Sequence, residues 1–130
     1  MTWILATILA ALAALHLLWA IGFWWPIRDE TQLARAIAGF KDIRTMPGAV
    51  PSALVAVALI AVIWLLMGWP IGIWRSLGLG GAAAVFILRG LAAYSPAWRR
   101  ITPEMPFARL DWRYYGPLCL IIGAGLVLQL

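Results

Sequence analysis

Six residues hold most of the chemistry this chain could offer: His16, Trp19, Arg89, Asp111, Tyr114 and Tyr115. Arg89 carries a full positive charge inside an apolar stretch, where such a group needs a partner and faces either the protein interior or water. Asp111, just before the last apolar run, is the nearest plausible carboxylate in a membrane-spanning topology, and an arginine with an aspartate can form a bidentate, charge-assisted pair. That pair would staple two helices, whereas an unpaired Arg89 would snorkel to headgroup phosphate or hold an anionic or carbonyl-bearing ligand. Tyr114 and Tyr115 follow Asp111 at i+3 and i+4, the spacing that shares one face of an α-helix. His16, three residues before Trp19, can pack, contact a ligand or move a proton, and the last role needs a partner within hydrogen-bond reach. It is the only histidine. Metal binding is not expected, because zinc needs three or four ligands and Cys119, Glu104 and Asp111 lie at unsuitable spacings. No haem ligation is expected either, since nothing pairs His16 with Met46, Met67 or Met105. The expected cofactor is therefore none.

The elements that must position these groups follow from composition. The chain has 130 residues, 65% hydrophobic and 12% charged, with 9 Trp and a mean hydropathy of +0.93. An ordinary soluble domain carries about 25% charged residues, so a water-soluble globule is excluded. Apolar runs over about residues 2–23, 52–69, 77–94 and 114–130 are of spanning length. The fold expected is all-α: a single four-helix membrane bundle over residues 1–130. The first run is expected to stay as a span, because it has no basic leader and continues past signal-peptide length.

Charge orients the bundle. Four Lys and Arg fall in the first loop (Arg28, Arg35, Lys41, Arg44), four in the third (Arg99, Arg100, Arg109, Arg113) and one, Arg75, in the second. The positive-inside rule puts both long loops in the cytoplasm and both termini outside. The net charge of +5 then reads as an orientation signal facing anionic lipid, with no nucleic acid partner implied. Trp24, Trp25, Trp98 and Trp112 mark the cytoplasmic boundary, and Trp3, Trp69 and Trp74 the outer one, as an aromatic belt would. At ~1.5 Å per residue, His16 lies roughly 10 Å deep, Arg89 lies at a similar or shallower level, and Asp111 lies at the edge. Polar groups from three spans thus converge on the cytoplasmic third.

The first loop has its own signal. Leu33, Ile37, Phe40 and Ile43 keep helical spacing, Asp29 and Gln32 resemble a capping box, and Pro47 and Pro51 close the stretch. A short amphipathic helix in the interface is expected, as an anchor or as a lid over a pocket. Ala6, Ala10 and Ala14, together with Gly78, Gly80, Gly81 and Ala82 to Ala84, offer close-approach faces to neighbouring helices or to a partner chain. Pro117 fits the first turn of the last span.

The segments HLLWAIGFWWP from His16, AAVFILRGLAAY from Ala83 and FARLDWRYYGPLCLIIG from Phe107 resemble a small bacterial integral membrane family, domain of unknown function 3995. The resemblance runs in order along nearly the whole chain. It implies a four-span inner-membrane protein with His16, Trp19, Gly22, Arg89, Asp111, Tyr115 and Pro117 at motif positions, and it implies no activity. Gly116 stands where the family pattern has serine. With no P-loop, dinucleotide fingerprint, HExxH or CxxC, the expectation leans away from an enzyme. Three readings follow: a protein that binds a lipid-like or small amphipathic ligand among His16, Trp19, Arg89, Asp111, Tyr114 and Tyr115; an accessory subunit of a larger membrane complex; or a membrane enzyme acting on a lipid or isoprenoid. The partners expected are membrane lipids, with a membrane protein partner or a homo-oligomer as further possibilities.

Overall fold

The computed structural model describes residues 1–68 and 72–130, and the regular structure in them is entirely helical. Helix α1 spans Thr2–Ala20, α2 Glu30–Ile37, α3 Ala49–Leu66, α4 Ile73–Ala92, α5 Pro96–Ile101, α6 Phe107–Leu110 and α7 Gly116–Leu128. A π-helical turn, Asp111–Tyr115, joins α6 to α7 without a break. Helices α1, α3 and α4 are each long and apolar enough to cross a membrane, the mark of a membrane protein. Helix α7 has 13 residues by itself and reaches spanning length only through the π turn and α6.

Two antiparallel pairs build the bundle, α1 against α3 and α4 against α7, joined by contacts of α3 with α4 and of α1 with α7. The core where they meet holds Leu5, Leu9 and Ala13 of α1, Leu59, Val62 and Leu66 of α3, Leu79 and Ala83 of α4, and Ile122 and Leu126 of α7. Their spacings of three, four and seven are those of one helical face. On α1 the buried line therefore runs through Leu5, Leu9 and Ala13. Ala10 and Ala14, expected as contact residues, face outward.

Boundaries move by a few residues from those expected, each for a local reason. α1 stops at Ala20 because Gly22 takes a φ of 81°, a left-handed conformation that glycine adopts without steric cost. α3 begins at Ala49, and Pro51 sits inside its first turn, where a missing N–H is tolerated. The expected end of that span at Trp69 lies outside the described residues. α4 starts four residues early, at Ile73. α2 ends at Ile37 although the apolar spacing continues to Ile43, because Gly39 adopts φ 67° and Asp42 φ 61°. Its start is as expected: Asp29 Oδ1 accepts from the Gln32 N–H at 2.9 Å. The third loop, read from sequence as a connection, contains α5 and α6.

Arg75 has a specific task at the end of the bundle away from the long loops. Its Nε donates to the Leu65 carbonyl at 2.9 Å and its Nη1 to the Gln129 carbonyl at 3.1 Å. A cation beside the carbonyls that close α3 and α7 complements the negative ends of both helix dipoles, and at Leu65 it adds a second donor to the Gly68 N–H. At the same end, Thr2 Oγ1 donates to Gln129 Oε1 at 2.6 Å, tying the start of α1 to the end of α7.

Candidate functional site

At the loop end, the π turn controls what Asp111 can reach. In a π turn the N–H bonds back five residues, and here Gly116 N–H meets the Asp111 carbonyl. The residue returning to Asp111's face is therefore Gly116, and the α-helical expectation for Tyr114 and Tyr115 shifts accordingly. Tyr114 is 60% exposed and turned away from Asp111. Tyr115 is half-buried, rests against Phe107 with ring centroids 5.7 Å apart, and donates its hydroxyl to the Ala36 carbonyl at 2.9 Å. It fastens α2 to the last helix.

Glycine at 116 follows from the same geometry. A Cβ there would lie 2.7 Å from Ala93 Cβ and 2.9 Å from the Asp111 carbonyl oxygen. The serine of the family pattern would not fit between α4 and α7 as they are spaced in this chain. Gly90 on the facing helix has the same constraint, with the Gly116 carbonyl 2.8 Å from where its Cβ would be. By contrast nothing lies within 4 Å of Gly80 or Gly81, so these two do not serve close packing within the chain.

This close approach brings Arg89 to Asp111. Arg89 Nη2 donates to Asp111 Oδ1 at 2.7 Å, and the Trp98 indole N–H donates to Oδ2 at 2.9 Å. Asp111 is 1% exposed, with both oxygens engaged, as a buried carboxylate requires. The Arg89 guanidinium also faces two rings, 5.0 Å from the Trp98 centroid and 6.0 Å from that of Phe107. Its second terminal nitrogen, Nη1, is buried without a hydrogen-bond partner among the described residues.

Trp98 and Phe107 complete this cluster, and the sequence did not single them out. Trp98 had been grouped with the boundary tryptophans. Phe107 carries a local signal, standing four residues before Asp111 on the same helical face. Trp98 carries none, since its position depends on how residues 95–106 fold back.

His16 and Trp19 occupy a neighbouring cluster on α1. His16 Nδ1 donates to the Leu12 carbonyl at 2.7 Å, since a carbonyl oxygen only accepts. The two rings meet edge to face at 4.8 Å, and Trp19 N–H donates to the Trp25 carbonyl at 2.8 Å. Leu33 and Ala34 of α2 and Met46 close over Trp19, so α2 covers this end of α1. Among the described residues no hydrogen bond, ion pair or ring contact joins His16 to Arg89, Asp111 or Tyr115.

The two long loops are bound to each other by Glu104. Its carboxylate accepts from Arg35 at 2.8 Å and from the Asp42 N–H at 2.9 Å, and its own N–H donates to the Gly39 carbonyl at 3.1 Å. The Asp42 N–H, followed by the Arg35 guanidinium, holds this carboxyl below the usual glutamate value. Gly39 is required there, because Phe107 occupies the space a Cβ would fill. Among the described residues no three His, Cys, Asp or Glu side chains are close enough to hold a metal ion.

The model of a family described as proteins of unknown function, DUF3995, matches residues 9–126. The chain belongs to that family. The match spans α1 to α7 and includes Arg89, Trp98, Phe107 and Asp111. No curated protein and no solved structure matches the chain.

Proposed function

We propose that this DUF3995 protein is a four-span protein of the bacterial inner membrane, with both termini outside the cytoplasm, that holds a lipid-like or other small amphipathic ligand at its cytoplasmic end. The observation that carries this reading is Arg89 Nη1, a buried donor without an acceptor among the described residues, beside an Asp111 carboxylate whose two oxygens are both engaged. A buried unpaired donor is a group whose partner a ligand or water supplies. Asp111 already neutralises the guanidinium, so the missing partner is an uncharged acceptor, such as an ester, carbonyl or hydroxyl oxygen. Arg89 keeps 30% of its side chain open, which leaves a route of approach. On this reading His16 and Trp19 are the second wall of the site, and Tyr115 and α2 its cover.

The hydrogen bond from Thr2 to Gln129 supports four crossings. Three spanning helices alone would leave the start of α1 and the end of α7 on opposite faces of the membrane, and a fourth returns them to one face. The eight basic residues of the long loops favour the cytoplasm for the opposite end. A reporter fused after Leu130 should be active only outside the cytoplasm.

For the ligand, native membranes are extracted in mild detergent and the amphiphiles retained by the purified protein are identified by mass spectrometry. A defined neutral amphiphile should remain with the wild type and be lost from R89K, which keeps the charge and removes the forked donor. Equal retention in both, or none in either, overturns the ligand reading. A second reading, an accessory subunit, is favoured by the outward faces at Ala10, Ala14 and Gly81. Purification from native membranes as a lone species would count against it.

A further inference from the structure

Beside the Arg89 cluster lies a cleft of about 430 Å³ lined by Tyr94, Arg99, Met105, Arg109 and Trp112. Its charge is one-sided. Arg99 and Arg109 line it and no carboxylate does, whereas the cleft of about 400 Å³ between the loops sets Asp42 and Glu104 against Arg35 and Arg44. The nearest acid, Asp111, is committed to Arg89 and Trp98. Neither Arg99 nor Arg109 has an ion-pair partner among the described residues, the two ion pairs there being Arg35 with Glu104 and Arg89 with Asp111.

The cleft is also held in shape. Arg99 Nη1 donates to the Ala108 carbonyl at 3.1 Å and to the Ala93 carbonyl at 3.4 Å, which anchors the guanidinium by one corner and leaves its other N–H groups without an acceptor among the described residues. Tyr94 and Trp112 meet edge to face at 6.3 Å, and the Tyr94 hydroxyl donates to the Trp112 carbonyl at 3.1 Å. A fixed aromatic wall next to two guanidinium groups presents apolar surface to a glyceryl or acyl stem and forked donors to the group above it.

We propose that this cleft binds a phosphate group, carried by an anionic membrane phospholipid. The proposal rests on the orientation given above, which sets the cleft at the cytoplasmic headgroup level, and it adds a site and a ligand class distinct from the uncharged acceptor assigned to Arg89. Phosphate matches the guanidinium fork and its charge answers two arginines that lack a counter-ion. An arginine near an anionic surface contributes roughly fivefold in affinity.

The test uses the full chain in a neutral detergent, with phosphatidylglycerol or phosphatidylcholine added and retention read by native mass spectrometry. Wild type should retain phosphatidylglycerol over phosphatidylcholine, and R109Q should lose roughly fivefold of that preference. The Arg109 side chain is exposed and makes no hydrogen bond or ion pair among the described residues, so its replacement leaves the fold intact, whereas Arg99 also supports two carbonyls. Displacement by excess inorganic phosphate would say that the cleft takes the group from either source, and persistence of the bound lipid that the lipid-borne form is preferred. Equal retention of the two lipids by wild type, or an unchanged preference in R109Q, overturns the proposal. R89K separates the two sites: it should keep the phosphatidylglycerol preference while losing the neutral amphiphile.

Discussion

Replacing Asp111 with asparagine keeps the shape of the side chain and removes the charge that Arg89 needs. Two contacts are at stake, the 2.7 Å ion pair to Arg89 and the 2.9 Å hydrogen bond from Trp98. Asparagine has one carbonyl oxygen for two donors, so one of them loses its partner and the amide NH2 is turned toward the other. Removing one member of a buried pair costs about 3 to 5 kcal/mol, because the remaining charge is left uncompensated. Arg89 is 30% exposed and can recover part of its solvation, which brings the expectation to the lower end, about 3 kcal/mol. The double variant R89M/D111N removes the stranded charge as well, and pairs replaced on both sides are often close to neutral. It should therefore be more stable than D111N alone. Unfolding in mixed micelles, followed by tryptophan fluorescence for wild type, both single variants and the double variant, gives the coupling energy directly. If D111N stays within about 0.5 kcal/mol of wild type, or the two single effects simply add, Arg89 and Asp111 do not act as a pair and the reasoning fails.

Other expectations follow from contacts described above. R75A should lose two bonds to carbonyls at helix ends, about 1.5 to 3 kcal/mol for each charged donor before solvent takes its place, and hydrogen exchange should rise in the last turns of α3 and α7 and not at the loop end. G116A should destabilise by about 1 to 3 kcal/mol through overpacking against Ala93, while G81A, with open space around it, should be neutral or slightly stabilising; both are read from denaturation midpoints. The Glu104 carboxyl is held below its ordinary value of 4.5, so its bonds to Asp42 and Arg35 are complete at any pH above that and weaken only as pH falls through the lower, folded value. An NMR titration followed at the Glu104 side-chain carboxyl carbon should give a midpoint under 4.5, and a midpoint at or above 4.5 would refute the assignment.

Helical class, the family and the Asp29 cap were legible in the residues because each depends on local pattern: apolar spacing, ordered motif segments, or a side chain three residues from the N–H it accepts. The meeting of Arg89 with Asp111 was legible for a different reason, that a charge within an apolar run has few possible partners. What could not be read depends on backbone geometry that composition does not encode. The π turn moved Tyr114 outward and put Gly116 on the face assigned to the tyrosines. Trp98 sits 13 residues from Asp111, and the fold of the third loop decides that they meet. The glycines of α4 show the same limit: Gly78, Gly80 and Gly81 look alike in sequence, yet a Cβ on Gly78 would meet Leu65 and the other two face open space.

The π turn also makes this protein tolerant of chain length in one short window. An α-helix advances about 100° per residue, and a π turn accommodates one residue beyond an α-helical count. Removing one residue between Asp111 and Tyr115 would let the segment relax to an uninterrupted α-helix in which Gly116 falls at i+4 from Asp111, and everything after it would keep its face. Gly116 and Gly123, which allow α7 to lie against α4, would still meet that neighbour, whereas a single-residue deletion within α7 itself would turn all that follows by about 100°. Relatives one residue shorter in this window therefore keep the same pairing of α4 with α7, and are best compared by counting residues across it before comparing their identities.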